Sequence, residues 1–289
     1  MKDIYEKPLV SIIMNCLNGE RYLKEAIDSI YNQTYQNWEI IFWDNGSTDN
    51  TREIANSYDK KLKYFHSSKT TLLGEARVNA TNKASGKYLA FLDCDDLWLD
   101  DKLDKQVKLI QQDESALVYG RSEIIFSDGA SMTKSMTFME GQKLPEGMVF
   151  KDLILENFIP FLSAIVDKDK FDECGGFPSH FKHATDYWIF LKIAHKYKIS
   201  AIQDVCCLYR IHNNNLSNFQ HVICALEDIE VTKSFFPDKY ALDSLKLKMV
   251  RLSIAYLREK KYFKAIKNLL ENGGWTIFLT RIFKKFLKF

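Results

Sequence analysis

Four short runs of strand length, the first of them continuously apolar but for one Ser, each leading into a stretch of helical period or a turn, constrain this chain more than any other feature. They are Leu9 to Met14, Glu39 to Trp43, Leu62 to His66 and Tyr88 to Leu92. Each is too short for a buried helix and long enough for a buried strand. After the first run, Tyr22, Leu23, Ala26, Ile27, Ile30 and Tyr31 recur at three- and four-residue spacing, which gives a helix one apolar face. Thr48 to Tyr58 reads as a second helix, capped by Ser47 or Thr48. Leu72 to Ala84 reads as a third, stopped at Ser85-Gly86. This alternation predicts an α/β fold, a mostly parallel central sheet flanked by helices on both faces.

The rest of the chain is less regular. Ala116 to Gly120 and Glu123 to Ser127 read as strands, Ala184 to Tyr197 as a helix, and Ala201 to Ile211 as containing a strand. Asp128 to Gly147 has no clear period and reads as a loop, of a length more often functional than idle. From about Phe219 onward the pattern is helical. The expected division is a domain over 1–217 and a helical C-terminal region over 218–289, which 289 residues can accommodate.

Several function classes are excluded. A net charge of +2 makes no electrostatic case for nucleic acid. No apolar stretch is long and uncharged enough to span a bilayer. Met1 to Pro8 is charged and lacks the apolar core of a signal peptide. The six cysteines include no C-x-x-C pair and read as reduced thiols. A cytoplasmic protein is expected.

In an open parallel sheet, ligands bind beyond the carboxyl ends of the strands. Three strand ends here are polar: Asn15-Cys16-Leu17-Asn18-Gly19-Glu20, Asp44-Asn45-Gly46-Ser47-Thr48-Asp49 and Asp93-Cys94-Asp95-Asp96. Any one is compatible with a helix-capping turn; three on one sheet edge favour a site. In an extended chain Asp93 and Asp95 point the same way, and two carboxylates so close repel unless a cation lies between them. Hard oxygen ligands suit Mg²⁺ or Mn²⁺ holding a phosphate.

Taken together, these segments resemble family 2 glycosyltransferases of the GT-A fold, typical of bacterial polysaccharide assembly. The resemblance runs from about Leu9 to Ser217. It rests on Val10-Ser11-Ile12-Ile13, Tyr22-Leu23-x-Glu25-Ala26-Ile27-x-Ser29-Ile30, Asn32-Gln33-Thr34-Tyr35 and Asp44 to Asp49. It continues through Ala76-Arg77, Phe91 to Trp98, Gly175-Gly176-Phe177 and Tyr209-Arg210-Ile211-His212. The order of these motifs is more specific than any one of them.

The resemblance implies transfer of a sugar, with inversion, from a nucleoside diphosphate sugar, a UDP-sugar foremost, to a glycan or lipid-linked acceptor. It assigns the donor's nucleotide and sugar to Asn15, Leu17, Glu20, Asp44, Asn45, Arg77, Asp93 and Arg210. It assigns Mn²⁺ or Mg²⁺ to Asp93, Asp95 and His212. The base that takes the acceptor's proton falls on Asp186, in Gly175-Gly176-Phe177-Pro178-Ser179-His180-Phe181-Lys182-His183-Ala184-Thr185-Asp186; without the resemblance, Asp186 reads as a helix N-terminal acid. Asn15 and Leu17 stand where the family usually has Pro or Thr and then Tyr. Asn45 replaces its second Asp, and Thr185 the first acid of its catalytic pair. An aromatic stacking surface and one base-reading carboxylate are thereby missing. Arg210 and His212 share a face in an extended segment.

Two other classes compete. A metal-dependent nucleotidyltransferase would share the sheet and the acids, but it usually needs a Gly-rich, basic phosphate loop after the first strand, and Asn15 to Glu20 is not one. A non-catalytic nucleotide-sugar-binding subunit would accommodate the altered positions. At the C-terminus, Trp275, Phe278, Leu279, Ile282, Phe283, Phe286 and Leu287 form an apolar stripe opposite Arg281, Lys284, Lys285 and Lys288. Such a helix either packs on the domain or lies in a membrane interface, at the inner face of the cell membrane.

Overall fold

The computed structural model describes residues 7–126, 131–135, 141–213, 215, 221–272 and 274. The four runs become β1 (Val10–Cys16), β2 (Trp38–Asp44), β3 (Leu62–His66) and β4 (Tyr88–Phe91). They are parallel and lie in the order β3-β2-β1-β4. The chain steps outward from β1 to β3 and then returns to the other side of β1. The crevice between β1 and β4 is therefore the topological switch point where ligands of such sheets bind.

Side chains alternate across β1. Ile12 and Met14 pack with Leu23, Ala26, Ile27 and Ile30 of α1 (Leu23–Tyr31), while Ile13 packs on the other face with Ala80 of α3 (Leu73–Thr81). Burial on both faces is why β1 reads as a continuous apolar run. α2 (Thr51–Asn56) starts later than predicted. The amides of Ser47 and Thr48 are taken by the side chains of Asp44 and Asn18, so they belong to a turn rather than to the helix.

The sheet continues through β8 (Ile165–Asp167), antiparallel to β4, and β6 (Leu117–Phe126), antiparallel to β8. β9 (Ile199–Ile211) then runs parallel to β6, and β5 (Leu97–Trp98) closes the edge antiparallel to β9. The two strands expected at 116–127 are one strand, in which the register against β9 shifts around Arg121. Inside the expected loop, β7 (Ser131–Ser135) pairs with β6; 127–130 and 136–140 lie outside the described residues.

Elements without a clean apolar period were not predicted. α4 (Lys102–Asp113) buries Lys102 and Gln106 alongside Leu103, Val107 and Ile110. Lys102 donates to Gln106 at 2.7 Å and lies 4.0 Å above the Trp98 ring. α5 (Phe150–Leu153) and α6 (Lys168–Glu173) are short. The helix expected over Ala184 to Tyr197 is α7 (Thr185–Lys196), which packs Ile189, Phe190 and Ile193 into the α3 side of the core.

Three further helices follow, α8 (His221–Lys233), α9 (Lys239–Arg258) and α10 (Tyr262–Glu271). Val231 and Ala241 enter the same core as α7, and Ser244 donates to the carbonyl of Ile154 at 2.5 Å. No described helix is long and apolar enough to cross a membrane. The apolar stripe beginning at Trp275 lies outside the described residues.

Candidate active site

The loops after β1 and β2 are tied to each other. Asn18 accepts from the Thr48 amide at 2.9 Å and gives its own amide to Ser47 Oγ at 2.9 Å. Glu20 accepts from the backbone and side chain of Asn50 at 3.0 and 2.6 Å, and its amide donates to Asp49 at 3.0 Å. Gly19 fits because a Cβ there would lie 2.4 Å from Cys16 Sγ and 3.0 Å from Cys94 Sγ.

Asp44 is buried and accepts from Tyr64 Oη at 2.6 Å and the Ser47 amide at 2.7 Å, with His66 Nδ1 at 3.5 Å. Burial disfavours its charge, but these partners outweigh burial and hold the carboxyl below its usual range. The Asn45 amide donates to the Thr71 carbonyl at 3.0 Å and accepts from Thr71 N and Oγ1 at 3.2 and 3.0 Å. Both ends of this amide are used, where a carboxylate would only accept. Leu17 is exposed on the first loop, and the buried Asn15 Nδ2 has no partner among the described residues.

The acidic segment is a turn, closed by Asp96 N to Asp93 O at 3.3 Å, rather than the extended stretch expected. Its three carboxylates consequently meet different partners. Asp93 lies 3.6 Å from Arg77 Nη2. Its pKa is pushed up to about 6, chiefly by burial and further by Asp95 and Asp186, with Arg77 opposing. Asp95 lies 2.8 Å from His212 Nε2, and its carbonyl accepts from Arg210 Nε at 2.9 Å. Asp96 is buried and accepts from the Arg210 amide at 2.8 Å; burial, then Asp95 and Asp93, drive its pKa well up. Arg210 and His212 do share a face. The guanidinium lies 4.5 Å over the Tyr22 ring, and the imidazole centroid is 5.1 Å from it.

Asp186 sits in the first turn of α7. Burial raises its pKa, opposed by Arg77, the Tyr187 amide and a 3.4 Å hydrogen bond from Asn157. Arg77 joins Asp186 to the acidic turn. Buried and 3.7 Å above the Phe161 ring, it donates to Thr185 and faces Asp93, and its Nε has no partner among the described residues. Gly74 permits this approach: a Cβ there would lie 2.0 Å from the Pro178 carbonyl oxygen. Glu227 of α8 fixes the other side, accepting from the amides of Lys182, His183 and Ala184 at 2.8, 2.8 and 2.9 Å.

No three Asp, Glu, His or Cys side chains converge as a ready cation cage among the described residues. Asp95 and His212 do converge. Mg²⁺ and Mn²⁺ sites on phosphate substrates draw one or two ligands from protein and the rest from phosphate and water. The pair fits the protein's share of such a site.

Residues 11–188 match the family model described as glycosyl transferase family 2. The chain belongs to that family. This family 2 glycosyltransferase is 31% identical over 213 residues to the Escherichia coli UDP-Glc:alpha-D-GlcNAc-diphosphoundecaprenol beta-1,3-glucosyltransferase WfgD, covering 73% of this chain and 80% of that one. It is 27% identical over 216 residues to the putative teichuronic acid biosynthesis glycosyltransferase TuaG of Bacillus subtilis, covering 73% and 82%. Its fold is that of S. aureus TarS in complex with UDP-GlcNAc (TM-score 0.65, 18% identity, 88% and 73% covered). The mannosyltransferase PcManGT from Pyrobaculum calidifontis with GDP-Man and Mn²⁺ is also similar (TM-score 0.63, 18% identity, 95% and 81% covered). The GT-A fold expected from the motifs is the fold of this glycosyltransferase.

Several of its site side chains escape sequence reasoning. Tyr22 reads as part of the apolar face and Glu25 only as a motif residue with no assigned role, yet Glu25 accepts from Arg210 Nη2 at 2.8 Å. Their place in the family motif was the available signal. Asn157 and Glu227 are brought in from distant segments and carry no local signal.

Proposed function

We propose that this glycosyltransferase moves a sugar, with inversion, from a nucleoside diphosphate sugar to a hydroxyl of a glycan or lipid-linked acceptor in surface polysaccharide synthesis. The observation that carries the reading is the meeting of Asp186 and Asp93 around Arg77 at the carboxyl edge of the sheet. The names of WfgD and TuaG, a glucosyltransferase on a diphosphoundecaprenol acceptor and a putative teichuronic acid biosynthesis enzyme, support the polymer context, and the bound donors of TarS and PcManGT support a nucleotide-sugar. A UDP-sugar is the donor we assign.

Asp186 is the base. Burial that raises its pKa brings it closer to the working pH, where a general base is most effective. It takes the acceptor hydroxyl's proton as that oxygen bonds to the anomeric carbon, and the bond from that carbon to the nucleoside diphosphate breaks. Asn15 Nδ2 and Arg77 Nε are buried donors in search of acceptors, which donor oxygens would supply. Asp44, Asn45, Glu20 and Leu17 shape the nucleotide end. Arg210 buttresses the acidic turn through Asp95 and Asp96. Asp95 and His212 would hold Mn²⁺ or Mg²⁺, with Asp93 between sugar and metal. The cation's chemistry is to neutralise charge developing on the departing diphosphate.

Asp186→Asn tests this. Transfer to acceptor should fall by about 10²–10⁴-fold, with donor binding, read by thermal shift with UDP-sugars and Mn²⁺, largely unchanged. Near-normal turnover in that variant would remove Asp186 from the role. Release of nucleoside diphosphate separates the enzyme from a binding subunit, and absence of inorganic pyrophosphate separates it from a nucleotidyltransferase.

A further inference from the structure

α10 buries only part of its apolar surface. Ala265 and Leu269 pack toward α9, and Asn268 Nδ2 donates to Met249 O and Ser253 Oγ, each at 2.7 Å. Tyr262, Phe263, Ile266 and Leu270 remain 59%, 80%, 49% and 64% exposed. At about 100° per residue these four occupy one continuous arc of about 100° beside the buried edge. Lys267 and Lys264 follow on the outer edge of that arc, and Lys260 and Lys261 stand at the helix start. Four large apolar side chains together on the surface of a soluble domain mark an interaction face.

The charge distribution selects the partner. From Lys260 to the end, the sequence has eight basic residues and one acid, Glu271. The whole chain has 40 basic and 38 acidic residues, which leaves 32 against 37 before Lys260. Among the described residues Lys260, Lys261, Lys264 and Lys267 stand along α10 and its start against Glu271, so basic residues prevail there while acids prevail before Lys260. An aromatic and aliphatic stripe edged by lysines, on a helix anchored by its other face, suits the boundary between acyl chains and anionic headgroups.

We propose that the Tyr262–Phe263–Ile266–Leu270 face of α10 docks this protein on an anionic lipid surface. The inference does not depend on the sugar-transfer reading, and its test measures no turnover. Full-length protein is sedimented with vesicles of phosphatidylcholine alone or mixed with phosphatidylglycerol. Wild type should bind the mixed vesicles strongly and the neutral ones weakly, and salt should erase the difference. The double variant Phe263→Ser/Leu270→Ser should lose at least about tenfold in partition, and Lys264→Gln/Lys267→Gln about fivefold per charge removed. Circular dichroism spectra and melting temperatures in the absence of lipid, unchanged in both variants, establish that they are folded. The proposal falls if wild type binds neither vesicle or both equally, or if the variants bind as wild type does. It falls also if wild type is a dimer that Phe263→Ser/Leu270→Ser converts to monomer, because a second copy then covers the face.

Discussion

Replacing Arg77 by Met should destabilise the protein by an amount that grows with pH. Arg77 is 5% exposed and faces Asp93, whose pKa already stands at about 6 because burial favours its neutral form. A carboxyl raised above its unfolded value binds more protons when folded, so it lowers stability as pH rises from about 4 to its folded pKa. In wild type that loss is complete near pH 6. Without the guanidinium the folded pKa climbs by a further 1–3 units or so. The loss then continues upward at about 1.4 kcal/mol per pH unit. At pH 8 this adds about 1.4–3 kcal/mol; Asp93 is 38% exposed, and solvent screening cuts the figure to about 1–1.5 kcal/mol. For a domain of this size that is roughly 2–6 °C in Tm. Below pH 6 Asp93 is mainly neutral in both proteins and the increment vanishes. Melting in chelator at pH 5 and pH 8 isolates the electrostatic part, to which Asp186, also opposed by Arg77, adds in the same direction, since packing over Phe161 and the bond to Thr185 are lost at both. Arg77→Lys, which keeps the charge, should recover most of the pH-dependent part. An equal drop at both pH values would refute the electrostatic account and leave Arg77 as a packing residue.

Glu39 gives the opposite pH sign. It is buried and accepts from Ser11 and Ser85 Oγ at 2.6 and 2.7 Å, with Lys63 at 2.5 Å. Burial works against its charge, but Lys63, Ser11 and Ser85 prevail and hold the pKa at about 2. Its stabilisation is present above the unfolded value near 4.5 and is lost as pH falls toward 2, so Glu39→Gln should cost on the order of 3 kcal/mol at pH 7 and little at pH 2.5 in denaturant melts. His212→Ala should weaken Mn²⁺-dependent binding of UDP by at least about tenfold while changing Mn²⁺-free binding little. Equal losses with and without Mn²⁺, by calorimetry, would assign His212 to the nucleotide instead.

The sequence was most legible where burial follows a simple period. The strand runs and the α1 face could be read because β1, β2 and β4 are buried on both sides and the helix on one. The polar strand ends could be read as one edge because parallel strands align their carboxyl ends. Legibility failed where polar groups are buried with partners. Lys102 and Gln106 concealed α4, and the bonds of Asp44 and Asn18 to the next loop delayed α2. Ligand geometry was not in the sequence either. Asp93 and Asp95 are two residues apart, but a turn sends one to Arg77 and the other to His212. The meeting of Arg77 with Thr185, the amides that Glu227 holds, and the apolar arc α10 leaves uncovered all depend on segments far apart in the chain. Local pattern determined which elements form and which residue types line the sheet edge. The packing of distant elements decided which of those side chains share a partner, a proton or a charge, because such couplings act through space over a few ångströms and leave no trace in spacing along the chain.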